Sequence, residues 1–365
     1  MNVENVLQAL STVQEPDLGK DLVTLNMVRD IVINGNQVSF TVVLTTPACP
    51  LKELLKKSCE EAIHEKIGKD ISVSVDFISE MNSGRTASEI ILPKVKNIIA
   101  VVSGKGGVGK STIASNFALA LAADGAKVGL MDADIYGPSV PIMFGVRGQR
   151  PLMKSVNGKG MILPMEKYGI SLMSIGLLVD EKDAVVWRGP MASSAIKQFI
   201  SEVFWDELDY LVVDMPPGTG DIHLTLLQSV PVTGVIVVST PQDVALADAK
   251  KAIAMFGQAQ LKAPIIGLVE NMSYFIAPET PGQKHFIFGQ DGGKKLADEY
   301  DIPFLGQIPL IQGIREGGDI GKPVMISGNS EARKAFQDFA GNAARSIAMI
   351  NANINTEKRA ELVIA

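Results

Sequence analysis

A glycine-rich segment between a short apolar run and a helix-like stretch constrains the fold of this chain more than any other feature. The segment is Gly104–Thr112, with the sequence GKGGVGKST, and it follows the β-branched run Asn97–Val102. Helical spacing of apolar residues then continues to Ala123. A strand, a glycine-rich loop and a helix in this order form a phosphate-binding loop, in which backbone N–H groups surround phosphate oxygens. This context predicts an α/β domain that binds a nucleotide.

Every position of the general pattern G-x-x-x-x-G-K-[ST] is filled in this loop. Lys110 is the lysine that reaches the β- and γ-phosphates, and Ser111 supplies a hydroxyl for Mg²⁺. Lys105 adds a second lysine directly after the first glycine. The alternative, a glycine-rich turn that only happens to precede a helix, does not explain the complete set. The predicted nucleotide contacts of the loop are Gly104, Lys105, Gly106, Gly107, Val108, Gly109, Lys110, Ser111 and Thr112.

Strand-like and helix-like segments alternate after the loop, and this alternation sets the fold class. Buried-type apolar strands separated by helices predict an α/β fold, a mostly parallel sheet with helices on both faces. The strand candidates are Ile98–Val102, Lys127–Met131, Ser171–Ile175, Tyr210–Val213, Gly234–Ser239 and Pro264–Val269.

The beginning of the chain has a different pattern, which predicts a separate small α+β domain. Helical spacing at Val3–Ser11 and Leu51–Ile67 flanks two strands, and a further strand follows at Ile71–Ile78. The small, polar stretch Met81–Ser88 is typical of a linker. We therefore predict a small domain at 1–82, a linker at 83–93, the nucleotide-binding domain at 94–350 and a tail at 351–365.

Composition and charge narrow the environment and the partners. No apolar run reaches the roughly 18–20 residues of a membrane span, and the N-terminus lacks the pattern of a secretory signal. We therefore expect a cytoplasmic protein with no membrane partner. The net charge of −6 excludes the large cationic field of a nonspecific DNA-binding protein, so no nucleic acid partner is expected.

Acidic residues follow two further strand candidates. Asp132 and Asp134 come after the second strand, and Asp214 ends a later one. Ligands of parallel sheets bind beyond the carboxyl ends of the strands, so these acids are expected near the phosphate-binding loop. There they can support Mg²⁺ and the water that attacks the phosphate. Any one of them alone is equally consistent with a solvated loop acid.

These residues resemble the deviant Walker A ATPases of the MinD, ParA and nitrogenase-iron-protein group. Within it, residues 1 to about 345 resemble the Mrp/ApbC family of iron–sulfur cluster carrier ATPases. The resemblance implies ATP and Mg²⁺ as cofactors, ATP hydrolysis by a homodimer, and delivery of clusters to iron–sulfur apoproteins. The other segments that carry it are Thr45–Pro50, Asp132–Ser139, Val185–Met191, Asp214–Asp221 and Glu270–Tyr274.

The resemblance also implies a catalytic set of Lys105, Lys110 and Asp134. Lys105 would cross the dimer interface to the partner's nucleotide, much as an arginine finger does. Asp134 would position the attacking water. Ser111 would ligate Mg²⁺, which Asp132 and Asp214 would support through its water ligands.

For the base, the resemblance implies two residues. Asn271 would contact the adenine edge with its amide, and the loop around Pro309 would flank the ring. An amide that caps a turn is an equally simple interpretation of Asn271 alone.

The resemblance breaks at the cluster site. Cluster-carrying members of the family have a C-x-x-C pair just after the Asn-Met-Ser-Tyr stretch, and here Ala277 and Thr280 stand in those positions. Neither residue replaces a thiolate, the standard ligand of such clusters. Glu279 and His285 lie nearby in sequence, but an isolated histidine is more simply a surface or packing residue.

If a cluster binds, Cys49 must therefore take part, either without or together with Cys59, the only other cysteine of the chain. Cys49 lies in a turn that opens a helix, where N–H groups and the helix dipole are expected to lower a thiol pKa. Two alternatives stay open. One is a nucleotide-gated docking scaffold whose partner holds the cluster. The other is a positioning ATPase of the MinD/ParA kind, although Ala343–Ala365 shows no clear basic face.

Overall fold

The computed structural model describes residues 1–81, 92–156, 158–179, 189–257, 263–277, 280, 282–328 and 330–364. The chain separates into two compact units. The smaller unit combines the N-terminal residues with the chain from 348 onwards, and the larger unit ends at 347. Of the predicted linker, only Leu92 and Pro93 lie within the described residues, so the predicted domain boundaries stay predictions.

The N-terminal part of the smaller unit is a three-stranded sheet with two helices. Strand β4 pairs antiparallel with β3 and parallel with β5. Helix α1 begins with a capping box, in which the side chain of Asn2 accepts a hydrogen bond from the backbone N–H of Asn5. The elements are α1 (Val3–Leu10), β1 (Gln14–Glu15), β2 (Lys20–Asp21), β3 (Val28–Asn34), β4 (Gln37–Leu44), α2 (Lys52–Lys66) and β5 (Ser72–Ser79).

The larger unit is built on an eight-stranded sheet, which confirms the predicted mostly parallel architecture. Its order is β10-β11-β7-β12-β6-β13-β14-β17, and only the edge strand β10 runs antiparallel to its neighbour. Its strands are β6 (Val95–Val102), β7 (Val128–Asp132), β10 (Met165–Lys167), β11 (Ile170–Ser174), β12 (Leu208–Asp214), β13 (Gly234–Ser239), β14 (Ile265–Glu270) and β17 (Phe304–Gln307). Two small hairpins accompany it, β8 (Met153–Val156) with β9 (Lys159–Ile162), and β15 (Phe275–Ile276) with β16 (Lys284–His285).

All six strand candidates lie in this sheet, whereas the strands at its two edges were not predicted. β10 has three residues and β17 has four, and Gly306 within β17 has a φ of +140°. Strands this short carry too little apolar pattern to be distinguished from loops.

Helices flank the sheet and connect its strands. They are α3 (Lys110–Ala123), α4 (Val140–Met143), α5 (Gly189–Glu202), α6 (Asp221–Ser229), α7 (Asp243–Phe256), α8 (Gly292–Glu299), α9 (Gln312–Asp319), α10 (Val324–Ser327) and α11 (Ser330–Ile364). The predicted start of a separate tail at residue 351 falls inside α11. No helix of the described residues is long and apolar enough to cross a membrane.

The core of the larger unit explains where the phosphate-binding loop is held. The central strand β6 is completely buried from Ile98 to Val102, and α3 is buried on nearly all sides. Phe117 of α3 packs against Phe339 of α11, with ring centroids 5.1 Å apart. The loop between β6 and α3 is therefore anchored at both ends in rigid elements.

Candidate nucleotide-binding site

The backbone of the phosphate-binding loop requires glycine at two of its positions. A Cβ on Gly104 would lie 2.2 Å from the backbone carbonyl carbon of Asp248, because α7 passes directly against the loop. Gly109, the residue before α3, has a φ of +84°, and a Cβ there would lie 2.2 Å from the Nδ2 atom of Asn271. These contacts explain why the loop has glycine where its pattern requires it.

Neighbouring strand ends hold the loop in place. The hydroxyl of Ser103 donates to the Lys105 carbonyl at 2.9 Å, and the backbone N–H of Gly218 donates to the Ser103 carbonyl at 2.9 Å. On the other side, the Asn271 amide nitrogen donates to the Val108 carbonyl at 2.8 Å. The loop leads into the N-terminus of α3, where free N–H groups and the helix dipole favour an anion.

Lys110 contacts two of the predicted acids. Its Nζ lies 2.5 Å from Oδ1 of Asp214, 3.7 Å from Oδ2 of Asp134 and 3.3 Å from the Ser111 hydroxyl. The side chains of Lys110 and Asp214 are 5% and 0% exposed. The lysine thus compensates carboxylate charge in a place from which water is excluded.

Asp132 lies next to this pair, completely buried. It accepts hydrogen bonds from the Ser174 hydroxyl at 2.9 Å and from the backbone N–H groups of Asp134 and Val140 at 3.1 and 3.3 Å. Burial, and then the neighbouring Asp214 carboxylate, raise the pKa of Asp132 well above its ordinary value. Burial also raises the pKa of Asp134, against the opposing effect of Lys110.

The oxygen atoms at this place fit Mg²⁺, a hard cation that keeps several water ligands. Oδ2 of Asp214 is buried and has no hydrogen-bond partner among the described residues. This oxygen is therefore available to accept a hydrogen bond or to interact with a cation. No three acidic, histidine or cysteine side chains of the described ranges converge closely enough to hold a metal directly. The ion would therefore be held by the Ser111 hydroxyl, water and phosphate, with the carboxylates behind the water.

A cavity of about 380 Å³ adjoins the loop. Its lining includes Gly109, Thr112, Asn271, Pro309 and Arg315. Folding thus brings both residues predicted to contact the base to one cavity beside the predicted phosphate site. The amide nitrogen of Asn271 is engaged by Val108, and no described residue donates to its Oδ1 atom.

Lys105 remains half-buried at the rim of the loop, beside the exposed Gly106 and Gly107. Within the described parts of the chain, no carboxylate or hydrogen-bond acceptor contacts its ammonium group. A cation in this position is available to an anion that comes from outside the subunit.

Three residues that support the site were not predicted from the sequence. Ser174 holds Asp132, and the buried Glu270 accepts from the Gly293 N–H at 2.6 Å. His223 is buried with its Nε2 atom 3.0 Å from the carbonyl of Pro216, in the turn after Asp214. Ser174 and Glu270 end strands, so the rule that ligands bind at carboxyl ends was a usable signal for both.

Neither cysteine has the properties expected of a thiolate ligand, and the predicted lowering of the Cys49 pKa is wrong. Burial raises the pKa of the half-buried Cys49, and the charges of Glu15 and Asp17 oppose thiolate formation further. Cys59 is 0% exposed in the core of the smaller unit, and burial raises its pKa to about 12. Since α2 carries Cys59 on its inner face, Cys59 reaches no ligand without unfolding.

Between β15 and β16, where the resemblance implies a C-x-x-C pair, the described residues offer no thiol. Ala277 is half-buried, Thr280 is exposed, and the Thr280 hydroxyl lies 3.3 Å from Nε2 of His285. The Lys284 ammonium lies 3.9 Å from the ring centroid of Tyr274. Glu279 lies outside the described residues, as does the Val185–Arg188 part of the matching segment Val185–Met191.

A mostly parallel sheet, a two-lysine phosphate-binding loop on its central strand and acids at the neighbouring strand ends together define a P-loop NTPase. The family model described as NUBPL iron-transfer P-loop NTPase matches residues 94–344, and the model described as iron-sulfur cluster assembly protein matches residues 3–75. The chain belongs to the NUBPL iron-transfer P-loop NTPase family.

Relatives along the whole chain agree with this assignment and confirm the resemblance inferred from the sequence. An iron-sulfur cluster carrier protein of Synechocystis sp. is 46% identical over 356 residues, which are 96% of this chain and 99% of the relative. One of Escherichia coli K12 is 44% identical over 346 residues, 94% of this chain and 91% of the relative. A nucleotide-binding protein from Archaeoglobus fulgidus, solved in complex with ADP, is 38% identical with a TM-score of 0.55 and covers 63% of this chain and 88% of its own.

Proposed function

We propose that this protein is an ATP-dependent carrier of iron–sulfur clusters that acts as a homodimer. The observation that supports ATP hydrolysis best is the Lys110, Asp134 and Asp214 cluster, which lies beside a cavity of suitable size for a base. The ADP complex of the Archaeoglobus fulgidus protein supports an adenine nucleotide. The names of the relatives support the cluster as cargo.

Binding of ATP changes the partner of Lys110. The ammonium exchanges the Asp214 carboxylate for the β- and γ-phosphates, which carry more charge. The loop N–H groups and the N-terminus of α3 hold the phosphate oxygens at the same time. The Ser111 hydroxyl would hold Mg²⁺, which would supply positive charge to the phosphates, and the released Asp214 would accept hydrogen bonds from its water ligands together with Asp132.

Hydrolysis then depends on Asp134. Its carboxylate, two residues beyond the end of β7 and 3.7 Å from the Lys110 ammonium, would orient a water molecule and accept the proton that the water loses on attack. The raised pKa of Asp134 suits this role, because a base with a pKa nearer to the working pH accepts a proton more readily.

The dimer would complete the site with Lys105. Its ammonium lacks a partner in the described residues of its own subunit, and a second copy facing the loop would place it against the partner's phosphates. Two large side chains that follow β7 and β13 at the carboxyl edge of the sheet are exposed, Tyr136 at 59% and Val244 at 67%, and would be available for a contact with a second copy.

The base would be held by Asn271 and Pro309. With the amide nitrogen bonded to Val108, the Oδ1 atom of Asn271 is left to accept a hydrogen bond from the exocyclic amine of adenine. Guanine has a carbonyl oxygen at that position and would leave this acceptor facing another acceptor. Pro309 would pack against the ring.

A second candidate function, nucleotide-gated docking, is favoured by the cysteines. Ala277 and Thr280 provide no thiol, Cys59 is in the core, and burial raises the pKa of Cys49. In the docking function, a partner protein holds the cluster, and ATP controls only the association. The carrier function needs Cys49 from both subunits, completed by ligands from the donor or the client.

Anaerobic reconstitution distinguishes the two candidates. The wild-type protein, Cys49→Ser and the control Cys59→Ser are incubated with iron and sulfide, desalted and analysed for bound iron, bound sulfide and the absorbance of a cluster. Iron and sulfide that are bound by the wild type and lost only in Cys49→Ser support the carrier. No bound iron in the wild type supports docking and contradicts the carrier.

Phosphate release tests the ATPase itself. We expect the wild-type rate per subunit to rise with protein concentration and then to saturate, because only the dimer is active. A rate per subunit that is independent of concentration over the whole accessible range contradicts the dimer requirement, and no phosphate release contradicts the ATPase.

A further inference from the structure

Three residues with left-handed backbone conformations meet beside the predicted base cavity. They are Gly145, Tyr168 and Gly321, with φ values of +64°, +51° and +74°. A Cβ on Gly321 would lie 2.5 Å from the Cα and 2.6 Å from the N atom of Gly145. The Tyr168 hydroxyl donates to the Gly321 carbonyl at 2.8 Å. Because the opposing atoms belong to the backbone, no side-chain rotation would relieve the steric clash of a methyl group on Gly321.

This contact joins the segments that directly follow α4 and α9, two helices that each form part of the cavity wall. Helix α4 ends two residues before Gly145, and α9 ends two residues before Gly321. Met143 of α4 and Gly318 of α9 both line the cavity, and a Cβ on Gly318 would lie 3.9 Å from Cγ of Met143. The two glycines therefore allow the backbones at the ends of the two walls to approach closely.

Two hydrogen bonds connect this region to the acid Asp132 and to α3, the helix that follows the loop. The first residue of α4, Val140, donates its N–H to Oδ2 of Asp132 at 3.3 Å. Asn116 of α3 accepts a hydrogen bond from the N–H of Met325 in α10 at 3.2 Å. These hydrogen bonds hold the parts of this region that lie away from the glycine contact in place.

We infer that the contact between Gly145 and Gly321, held by Tyr168, sets the width of the base cavity and so determines the affinity for the adenine ring. The inference rests on the proposed binding of an adenine nucleotide at this site. The phosphates bind to the loop and α3, away from this contact. Widening the cavity therefore weakens the interaction with the base and leaves the interaction with the phosphates in place.

The variant Gly321→Ala tests this inference, with Gly148→Ala as a matched control. Gly148 has nearly the same φ, +76°, but a Cβ there would meet nothing within 4 Å. Both variants therefore have a comparable backbone penalty, and only one has the steric conflict. Calorimetric titrations of each protein with ADP and with inorganic pyrophosphate, both with Mg²⁺, separate the contribution of the base from that of the phosphates.

We expect Gly321→Ala to lose about tenfold in affinity for ADP, because a small misfit in a base or side-chain pocket has this order of effect. Its affinity for pyrophosphate and both affinities of Gly148→Ala should stay within about twofold of the wild type, within the range of substitutions without a new contact. An unchanged ratio of the ADP and pyrophosphate affinities in folded Gly321→Ala overturns the inference.

The milder variant Tyr168→Phe keeps the test decisive if Gly321→Ala does not fold. It removes only the hydroxyl that holds the Gly321 carbonyl. We expect its affinity for ADP to fall about threefold, the effect of losing one hydrogen bond, and its affinity for pyrophosphate to stay unchanged. Wild-type affinity for ADP in this variant, when Gly321→Ala is unfolded, also overturns the inference. A wild-type protein that binds pyrophosphate and ADP equally well contradicts the proposed adenine site instead.

Discussion

The Nζ atom of Lys110 lies 2.5 Å from Oδ1 of Asp214, although the two residues are 104 positions apart in the chain. Both side chains are buried, and the second carboxylate oxygen of Asp214 has no hydrogen-bond partner in the described part of the structure. Because one oxygen of this buried ion pair is unsatisfied, we expect the Lys110 ammonium to exchange Asp214 for a more highly charged ligand when one binds. This pair connects the stability of the protein to its predicted activity.

Removal of Lys110 should therefore lower both the stability of the protein and its ATPase activity. In Lys110→Ala, the buried Asp214 loses its main counter-charge, and we expect about 3–5 kcal/mol lower free energy of unfolding, together with no phosphate release above background. Urea unfolding and a phosphate assay measure the two effects. Lys250→Ala, which removes an exposed pair with Glu299, serves as the control and should change neither. Wild-type stability of Lys110→Ala would show that the pair does not stabilise the fold.

Lys105→Ala should separate nucleotide binding from hydrolysis. The subunit retains its own loop contacts and Lys110, so we expect ADP affinity close to that of the wild type, while phosphate release falls by about 10³-fold or more, as with a missing arginine finger. The control is Lys94→Ala, a lysine just before the same strand β6 that pairs with Asp206. Normal turnover of Lys105→Ala would refute its role across the dimer.

Asp134→Asn should bind ATP and hydrolyse it about 10²–10⁴ times more slowly, the usual range for a lost general base. Because burial raises the pKa of Asp134, protonation should remove its activity at a higher pH than is ordinary for aspartate. The wild-type rate should therefore rise with pH through this raised pKa, and the residual rate of Asp134→Asn should lack that rise. A shared pH profile would assign the titration to another group.

The two cysteines should differ strongly in alkylation. Since only the thiolate reacts, the raised pKa of Cys49 predicts slower modification by iodoacetamide near pH 8 than for an exposed cysteine, with a rate that increases as the pH rises. Cys59, buried and with a pKa of about 12, should react only after unfolding in urea. Peptide mass mapping of the modified sites measures both. Rapid modification of native Cys59 would contradict its place in the core.

The strands and the loop were predictable because their signals are local. The run before Gly104 is apolar throughout, the glycines follow one another at the required spacing, and helical periodicity resumes directly afterwards. The rule that ligands bind at the carboxyl ends of strands then placed Asp132, Asp134 and Asp214 together. Each of these inferences needs only neighbouring residues in the chain and a parallel sheet.

The prediction for Cys49 failed because the pKa of a thiol also depends on burial, which the local sequence does not show. A position before a helix is visible in the sequence, and it indicates a lowered thiol pKa. Burial depends on what packs over the turn, and here desolvation and the nearby Glu15 and Asp17 outweigh the N–H groups.

The sequence by itself determined the phosphate-binding loop, the mostly parallel sheet and the family, because these follow from residue types at short, regular spacings. Only the tertiary structure decided that Ser174 holds Asp132, that Lys110 compensates Asp214, and that Gly145 meets Gly321. These pairs lie between 42 and 176 residues apart, and they form only because the order of strands in the sheet brings distant segments together. Packing of distant segments, which no local pattern encodes, thus gave the site its charge balance and the predicted base cavity its width.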